Sequence, residues 1–354
     1  MQAEVAGPAK FIFWEGESIR MGEQIDKTDR HILEELSIDS RALLTKLAKK
    51  IRTSKQTLQY RMQRMEKDGV VNAYITYVDW SRIGYMRREM LVKHAPMGES
   101  LYKGIIETCM RQGGVHITRC DGEWNMLVGY LGASNKELYE KANEIRRAFG
   151  SHMIETRAAT LVDVYVKSMQ KYDNENESGE VVGVLGAAEK RYALDDKDRL
   201  VLGALAVNAR APYAQIAEMT GLAPETVRFR IKRLEKEKVI VSYGVSINPE
   251  LDGFNHFMIL VRLSDPQNER IEKFIKYLLA IPKVRRVARV ISTVDLIYEA
   301  RFSDERELRE TKARIERDYG DMIHSQTVLR LYGENLFAFF PPLRRDKAGK
   351  KQGN

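Results

Sequence analysis

In residues 53–71, TSKQTLQYRMQRMEKDGVV, apolar side chains return at Leu58, Met62 and Met65. That spacing is one stripe of a 3.6-residue helix. The same stripe recurs at Val227, Ile231 and Leu234 within residues 222–240, LAPETVRFRIKRLEKEKVI. Each predicted helix follows two others. IDKTDRHILEELSID is apolar at Ile32, Leu33, Leu36 and Ile38, with Asp26 as the N-cap candidate. RALLTKLAKK turns Leu44, Leu47 and Ala48 inward. Strand-like runs follow, VVNAYITYVDW in the first copy and VIVSYGVSI in the second. Three helices, with a tight turn between the last two and strands closing them, predict a winged helix-turn-helix.

The rest of each copy changes period. YMRREMLVKH, ESLYKGIIETCMRQ, VHITRC, EWNMLVGYL, SNKELYEKANEIRRAF and ETRAATLVDVYV read as strand, helix, strand, strand, helix, strand. HFMILVRL through HSQTVLRLY repeats the order. This βαββαβ sequence is the ferredoxin-like split βαβ. Thr57 and Thr226 lie 169 residues apart, and the same offset pairs Asp26 with Asp195, Arg41 with Arg210, Glu66 with Glu235 and Tyr74 with Tyr243. A whole unit has been duplicated. The expected class is α+β, a tandem repeat of winged helix-turn-helix plus ferredoxin-like domain. An N-terminal extension covers 1–24, and helix-turn-helix domains cover 25–80 and 194–249. Ferredoxin-like domains span 81–168 and 250–340, a polar, Gly-containing linker 169–193, and a basic tail 341–354.

Composition narrows the partners. The 354 residues carry 31% charged and 44% hydrophobic side chains and a net charge of +8, consistent with a polyanion. Cys109 and Cys120 have no metal-ligand spacing, which suggests buried, reduced thiols in a cytoplasmic protein. No apolar run approaches the ~18 residues of a membrane span, and the first residues show no secretory pattern.

The order IDKTDRHILEEL, LAKK, SKQTLQYRMQRMEKDGVV resembles the Lrp/AsnC (feast/famine) transcriptional regulators, over about residues 25–168 and 194–335. The resemblance implies a DNA-binding regulator with double-stranded DNA as partner and an amino acid or other small molecule as effector. It implies no cofactor and no metal. Members usually carry one unit per chain and pair through their sensing domains. This chain looks like a fused pseudo-dimer, free to diverge toward an asymmetric operator and to associate further into a homo-oligomer.

In helix-turn-helix geometry the start of the third helix enters the major groove. The candidates there are Lys55, Gln56, Thr57, Gln59 and Tyr60, and in the second copy Glu225, Thr226, Arg228, Phe229 and Lys232. Gln suits adenine edges, Arg and Lys suit guanine, and Glu can accept from cytosine. Arg61 and Arg64 are expected to hold phosphates or the wing, and the matched pair Arg230/Arg233 to approach phosphate as well. Gly221 fits a left-handed turn residue. Arg52 stands at the equivalent place, so the first turn is expected to be shaped differently. Family members show Gly–x–x–Asp near the effector pocket. Here it becomes Gly122-Glu123-Trp124-Asn125 and Ser292-Thr293-Val294-Asp295. Gly122, Glu123, Asn125, Ser292 and Asp295 are therefore effector candidates, with a plain hairpin turn as the competing reading. The aromatic segments 11–14 and 337–343 are expected to cover apolar patches, and His116 and His324 to be structural. Two other functions share this architecture. One is a sirohaem decarboxylase, which needs clustered His and Arg that no stretch of the chain displays. The other is a co-regulator with a retired DNA reader.

Overall fold

The computed structural model describes residues 25–169, 178–248, 254–264 and 267–336. The segments 11–14 and 337–343 and the basic tail lie outside the described residues. The first unit opens with α1 (Lys27–Ile38), α2 (Leu44–Ile51), α3 (Lys55–Lys67) and β1 (Val71–Val78). Its βαββαβ part is β2 (Met86–His94), α4 (Glu99–Arg111), β3 (Gly114–Asp121), β4 (Met126–Gly132), α5 (Asn135–Phe149) and β5 (Met153–Lys167). A short strand β6 (Val181–Leu185) precedes the second unit. That unit runs α6 (Asp196–Val207), α7 (Tyr213–Thr220), α8 (Pro224–Lys236) and β7 (Ile240–Ile247). It continues with β8 (Asn255–Leu263), α9 (Asn268–Ala280), β9 (Val284–Ile291), β10 (Leu296–Phe302), α10 (Glu305–Tyr319) and β11 (Ile323–Leu336). No helix among the described residues is long and apolar enough to cross a membrane.

Capping boxes start α1 and α6. The Asp26 carboxylate accepts from the Asp29 N–H at 2.9 Å, and Asp29 accepts in return from the Asp26 N–H at 3.2 Å. Asp195 and Asp198 do the same in the second unit. The stripes Leu58/Met62/Met65 and Val227/Ile231/Leu234 are buried, and both feed one hydrophobic core shared by the two helix-turn-helix modules.

The strands that follow α3 and α8 depart from the winged pattern. β1 pairs antiparallel with β7 of the other unit, Tyr74 opposite Val245 and Ile75 opposite Gly244. A lone strand leaves its backbone N–H and C=O groups unpaired, and the second copy supplies the missing edge. Repeated residues close this joint from both sides. The Arg41 guanidinium donates to the Ala209 carbonyl, and Arg210 donates to that of Ser40. The Ser40 N–H reaches the Tyr243 carbonyl and the Ala209 N–H the Tyr74 carbonyl, each at 3.1 Å.

The two ferredoxin-like sheets also share edges. The orders β5-β2-β4-β3 and β11-β8-β10-β9 join through β3–β11 and β5–β9, so these strands close into a barrel. Its interior packs Leu91, Trp124, Leu127 and Leu161 against Met258, Leu260, Ile297 and Leu329. Helices α4 and α5 cover one outer face and α9 and α10 the other, each over its own core. Closure removes the edges that a single sheet would expose.

Of the segment expected to be a linker, residues 178–193 pack onto the first unit. β6 adds to β5, Val164 opposite Leu185. The Gly186 N–H donates to the Asp79 carboxylate at 2.9 Å, and the Tyr192 N–H to the Arg82 carbonyl at 2.6 Å. The apolar run VVGVL explains the difference: it buries Gly183 and Leu185. Cys109 and Cys120 are free and buried, and burial pushes both thiols up to about 12.

Candidate nucleic-acid interface and sensing domain

On α3, Lys55, Gln56, Thr57, Gln59 and Tyr60 are exposed; on α8, so are Glu225, Arg228, Phe229 and Lys232, while Thr226 is half-buried. Tyr60 and Phe229 occupy equivalent positions and are 65% and 61% exposed, which puts a large aromatic ring in water on both helices. The two starts differ. Ser54 caps α3 by accepting from the Thr57 N–H at 3.0 Å, whereas α8 begins with Pro224 and has no side-chain cap. Arg228 is drawn to Glu225 at 2.9 Å on the same exposed turn.

The arginine pairs, expected to hold phosphates or the wing, bond carboxylates of their own unit. Arg61 donates to Asp26 at 2.6 Å and to Asp29 at 2.9 Å, and Arg64 also reaches Asp29. Arg230 and Arg233 hold Asp195 and Asp198 in the same way, with Arg233 at 2.6 Å from Asp198. Asp29 and Asp198 are fully buried, so their charges need these guanidiniums. The pair thus clamps the third helix of each unit to the capping box of its first. Burial opposes ionisation of Asp26 and Asp195, yet backbone N–H donors and the arginines hold both carboxyls below the usual range.

The two turns are alike rather than different. Arg52 adopts φ 59°, ψ 48°, and Gly221 φ 68°, ψ 17°. The first unit therefore accepts a left-handed arginine where the second has glycine.

Of the effector candidates, Gly122 and Ser292 meet the other unit, while Asn125 and Asp295 bond within their own. Gly122 has φ 134°, and a Cβ there would stand 2.9 Å from the Val328 carbonyl oxygen on β11. Ser292 Oγ donates to the Ala158 carbonyl on β5 at 3.0 Å. Asn125 accepts from the His94 N–H at 3.0 Å, and Asp295 from the Leu263 N–H at 2.7 Å. Asn and Asp thus make the same hairpin contact at the ends of β2 and β8. Glu123 lies 3.7 Å from Arg157. None of the five lines the barrel cavity described below.

A buried charge cluster escaped the sequence reading. Arg87, Glu89 and His116 are at most 5% exposed. Arg87 donates to Glu89 at 2.7 Å, and His116 Nε2 lies 3.0 Å from its other oxygen. Burial raises the Glu89 carboxyl, but His116 and Arg87 outweigh it and hold the group well below its usual range. Across the barrel, Arg286 pairs with Glu299 at 2.6 Å. His116, expected to be merely structural, belongs to this cluster. Gly129 makes room for it: a Cβ there would meet the imidazole at 2.6 Å. These residues come from five strands, so no local spacing announces them.

The AsnC-type helix-turn-helix domain matches residues 25–66 and again 194–235. An uncharacterised HTH-type transcriptional regulator of Pyrococcus furiosus is 30% identical over 128 residues, 36% of this chain and 83% of that protein. The HTH-type transcriptional regulator AldR of Mycolicibacterium smegmatis is 35% identical over 117 residues, 33% of this chain and 68% of its own. The crystal structure of the siroheme decarboxylase NirDL covers 89% of this chain and 95% of its own with a TM-score of 0.56 at 12% identity, a likeness of fold alone. The chain belongs to the Lrp/AsnC family of DNA-binding transcriptional regulators and carries two of its units in one polypeptide.

Proposed function

We propose that the chain reads one asymmetric DNA site, α3 taking one half-site and α8 the other. The observation that carries this is a contrast within the repeat. The residues that brace the two helices match, down to the arginine clamp, while the exposed faces do not. Phosphate contacts position a protein and base contacts specify its site. Gln56 and Gln59 suit adenine edges, and Arg228, once released from Glu225, suits guanine. Lys55, Thr57, Lys232 and Thr226 are placed for the backbone, and Tyr60 and Phe229 for thymine methyls or sugar. The arginine pairs serve as braces.

Selection of sites from randomised DNA by the full chain tests this. The preferred site should be non-palindromic. Exchanging Gln56→Glu and Gln59→Arg should change preference at one half-site, by roughly 1–3 kcal/mol per altered base contact. A perfect palindrome whose halves shift together would sink the proposal.

On this reading the chain acts as a regulator in the cytoplasm, tuned by a small molecule and assembling further through its outer helices, and not as a tetrapyrrole enzyme. The two helix-turn-helix modules and the regulator relatives support that choice, while the barrel cavity, about 210 Å³, gathers Arg87, Arg285, Arg286, Arg301, His116 and His256 on its wall. Titration with sirohaem should leave its absorbance spectrum unchanged, and a saturable spectral shift with loss of carboxylate would reverse the choice.

A further inference from the structure

The repeat divides charge unequally between its two reading faces. Lys46 and Lys49 on α2, Arg52 in the turn and Lys55 at the start of α3 are exposed, and no carboxylate among the described residues pairs with them. Lys50 beside them is tied to Glu35 at 2.7 Å. The same positions of the second unit hold Gln215, Glu218, Gly221 and Pro224, and Glu225 stands where the first has Gln56. Four cations on the first face thus correspond to one carboxylate and no cation on the second. The exposed lysines of α8, Lys232 and Lys236, lie in its second half, and Lys238 follows it. In helix-turn-helix geometry the helix before the reader crosses the DNA backbone and the reader enters the groove by its start. The unequal positions are therefore the ones that meet phosphate.

Local helix stability does not account for the basic set. Lys49 and Lys50 complement the C-terminal dipole of α2, but Lys55 occupies the first turn of α3, where a positive charge is disfavoured. The equivalent turn of α8 has the favourable choice, Pro224 at its first position and Glu225 behind it. Arg52 takes a left-handed conformation that glycine adopts at less cost, as Gly221 does. Lys46 and Lys49, three residues apart on one helix, repel each other. A row of phosphates relieves these costs together. The second face behaves in the opposite way. Glu218, in the last turn of α7, also opposes its helix dipole, and beside a phosphate both it and Glu225 are repelled. Approach there is favourable only where bases compensate, a cytosine for Glu225 and a guanine for Arg228.

We propose that the first unit anchors the chain through most of its phosphate contacts, while the second adds sequence choice with little affinity of its own. The proposal rests on the reading of α3 and α8 as two half-site readers and says how affinity and selectivity divide between them. The β1–β7 ribbon and the Arg41 and Arg210 bonds hold the second reader beside the first. Once the anchor is on DNA, the second reader meets its half-site at high effective concentration and needs no phosphate grip of its own. A wrong half-site leaves its carboxylates uncompensated against the backbone, which is discrimination by repulsion.

The test is the salt dependence of DNA binding by the full chain, read by fluorescence anisotropy on its selected site and on random-sequence duplex. Lys46→Gln, Lys49→Gln and Lys55→Gln together should flatten the slope of log affinity against log salt by about 2.7, for three lost phosphate contacts. Lys232→Gln, Lys236→Gln and Lys238→Gln together should flatten it by about 0.9 at most, the one contact expected of Lys232. Glu218→Gln with Glu225→Gln should strengthen binding to random-sequence duplex and narrow its gap to the selected site. All of these side chains are exposed, and circular dichroism checks that each variant keeps its fold. An equal or greater loss of slope from the second-unit set, an unchanged slope from the first, or no gain on random-sequence duplex from the glutamate changes would each overturn the proposal. Hydroxyl-radical footprinting of the parent chain reports separately on the two-reader reading. Protection of both half-sites with equal losses of slope keeps the readers and removes the anchor, whereas protection of one half-site alone removes the second reader and the proposal with it.

Discussion

Replacing Arg61 and Arg64 together by Ala separates bracing from DNA contact. Asp29 is fully buried and accepts from both guanidiniums, with one further bond, at 3.2 Å, from the Asp26 N–H. Without the arginines a buried carboxylate keeps that single donor. Removing the partner of a fully buried ion costs about 3–5 kcal/mol, while an exposed pair is worth about 0–1. The arginine side chains are 23% and 34% exposed, so a loss of about 2–4 kcal/mol is expected for the double change. Urea unfolding reads it as a lower midpoint at unchanged slope. The duplication supplies an internal control. Arg230→Ala with Arg233→Ala should cost about as much, because Asp198 is equally buried. In conditions where both variants remain folded, non-specific DNA affinity and its salt slope should hold. Two lost phosphate contacts would instead flatten the slope by about 1.8. An unchanged urea midpoint together with a flattened slope would refute the brace and return the arginines to the DNA.

Two further outcomes follow from local geometry. Arg52→Gly relieves a left-handed arginine, and should stabilise by roughly 0.5–1 kcal/mol, the αL penalty of ~1–2 less glycine's entropy cost of ~0.5–1; a lower melting temperature would contradict it. Glu89 ionises in the fold well below its unfolded value of 4.5, so its contribution is complete above that pH and is lost as pH falls through the folded value. Glu89→Gln should therefore lower the urea midpoint most near neutrality, and the gap to the parent should narrow below about pH 4.5; a gap that stays constant in acid would show that the charge is not what stabilises.

The helices were legible because their causes are local. Asp26 and Asp195 cap three residues ahead, and Leu58, Met62 and Met65 repeat within two turns. The exposed faces of α3 and α8 could be read too, since they are what the apolar stripe leaves over. The duplication was visible because Thr57 and Thr226 share a register that runs the length of the helix-turn-helix unit. What that duplication does was decided only in three dimensions. The same offset marks Arg41 with Arg210 and Tyr74 with Tyr243, but nothing in the sequence says that each contacts the opposite copy. Arg61 finds its aspartates about nine helical turns of sequence away, so a periodicity argument sees only a basic face. Gly122 and Ser292 stand in hairpin turns, and only the tertiary structure shows that each meets the other unit's last strand. The barrel and its cationic cavity arise because each sheet has two bare edges and its twin carries the complementary ones. Edge pairing joins residues remote along the chain, and that non-local closure, rather than any local pattern, sets Lys167, Arg285 and Arg87 around one space.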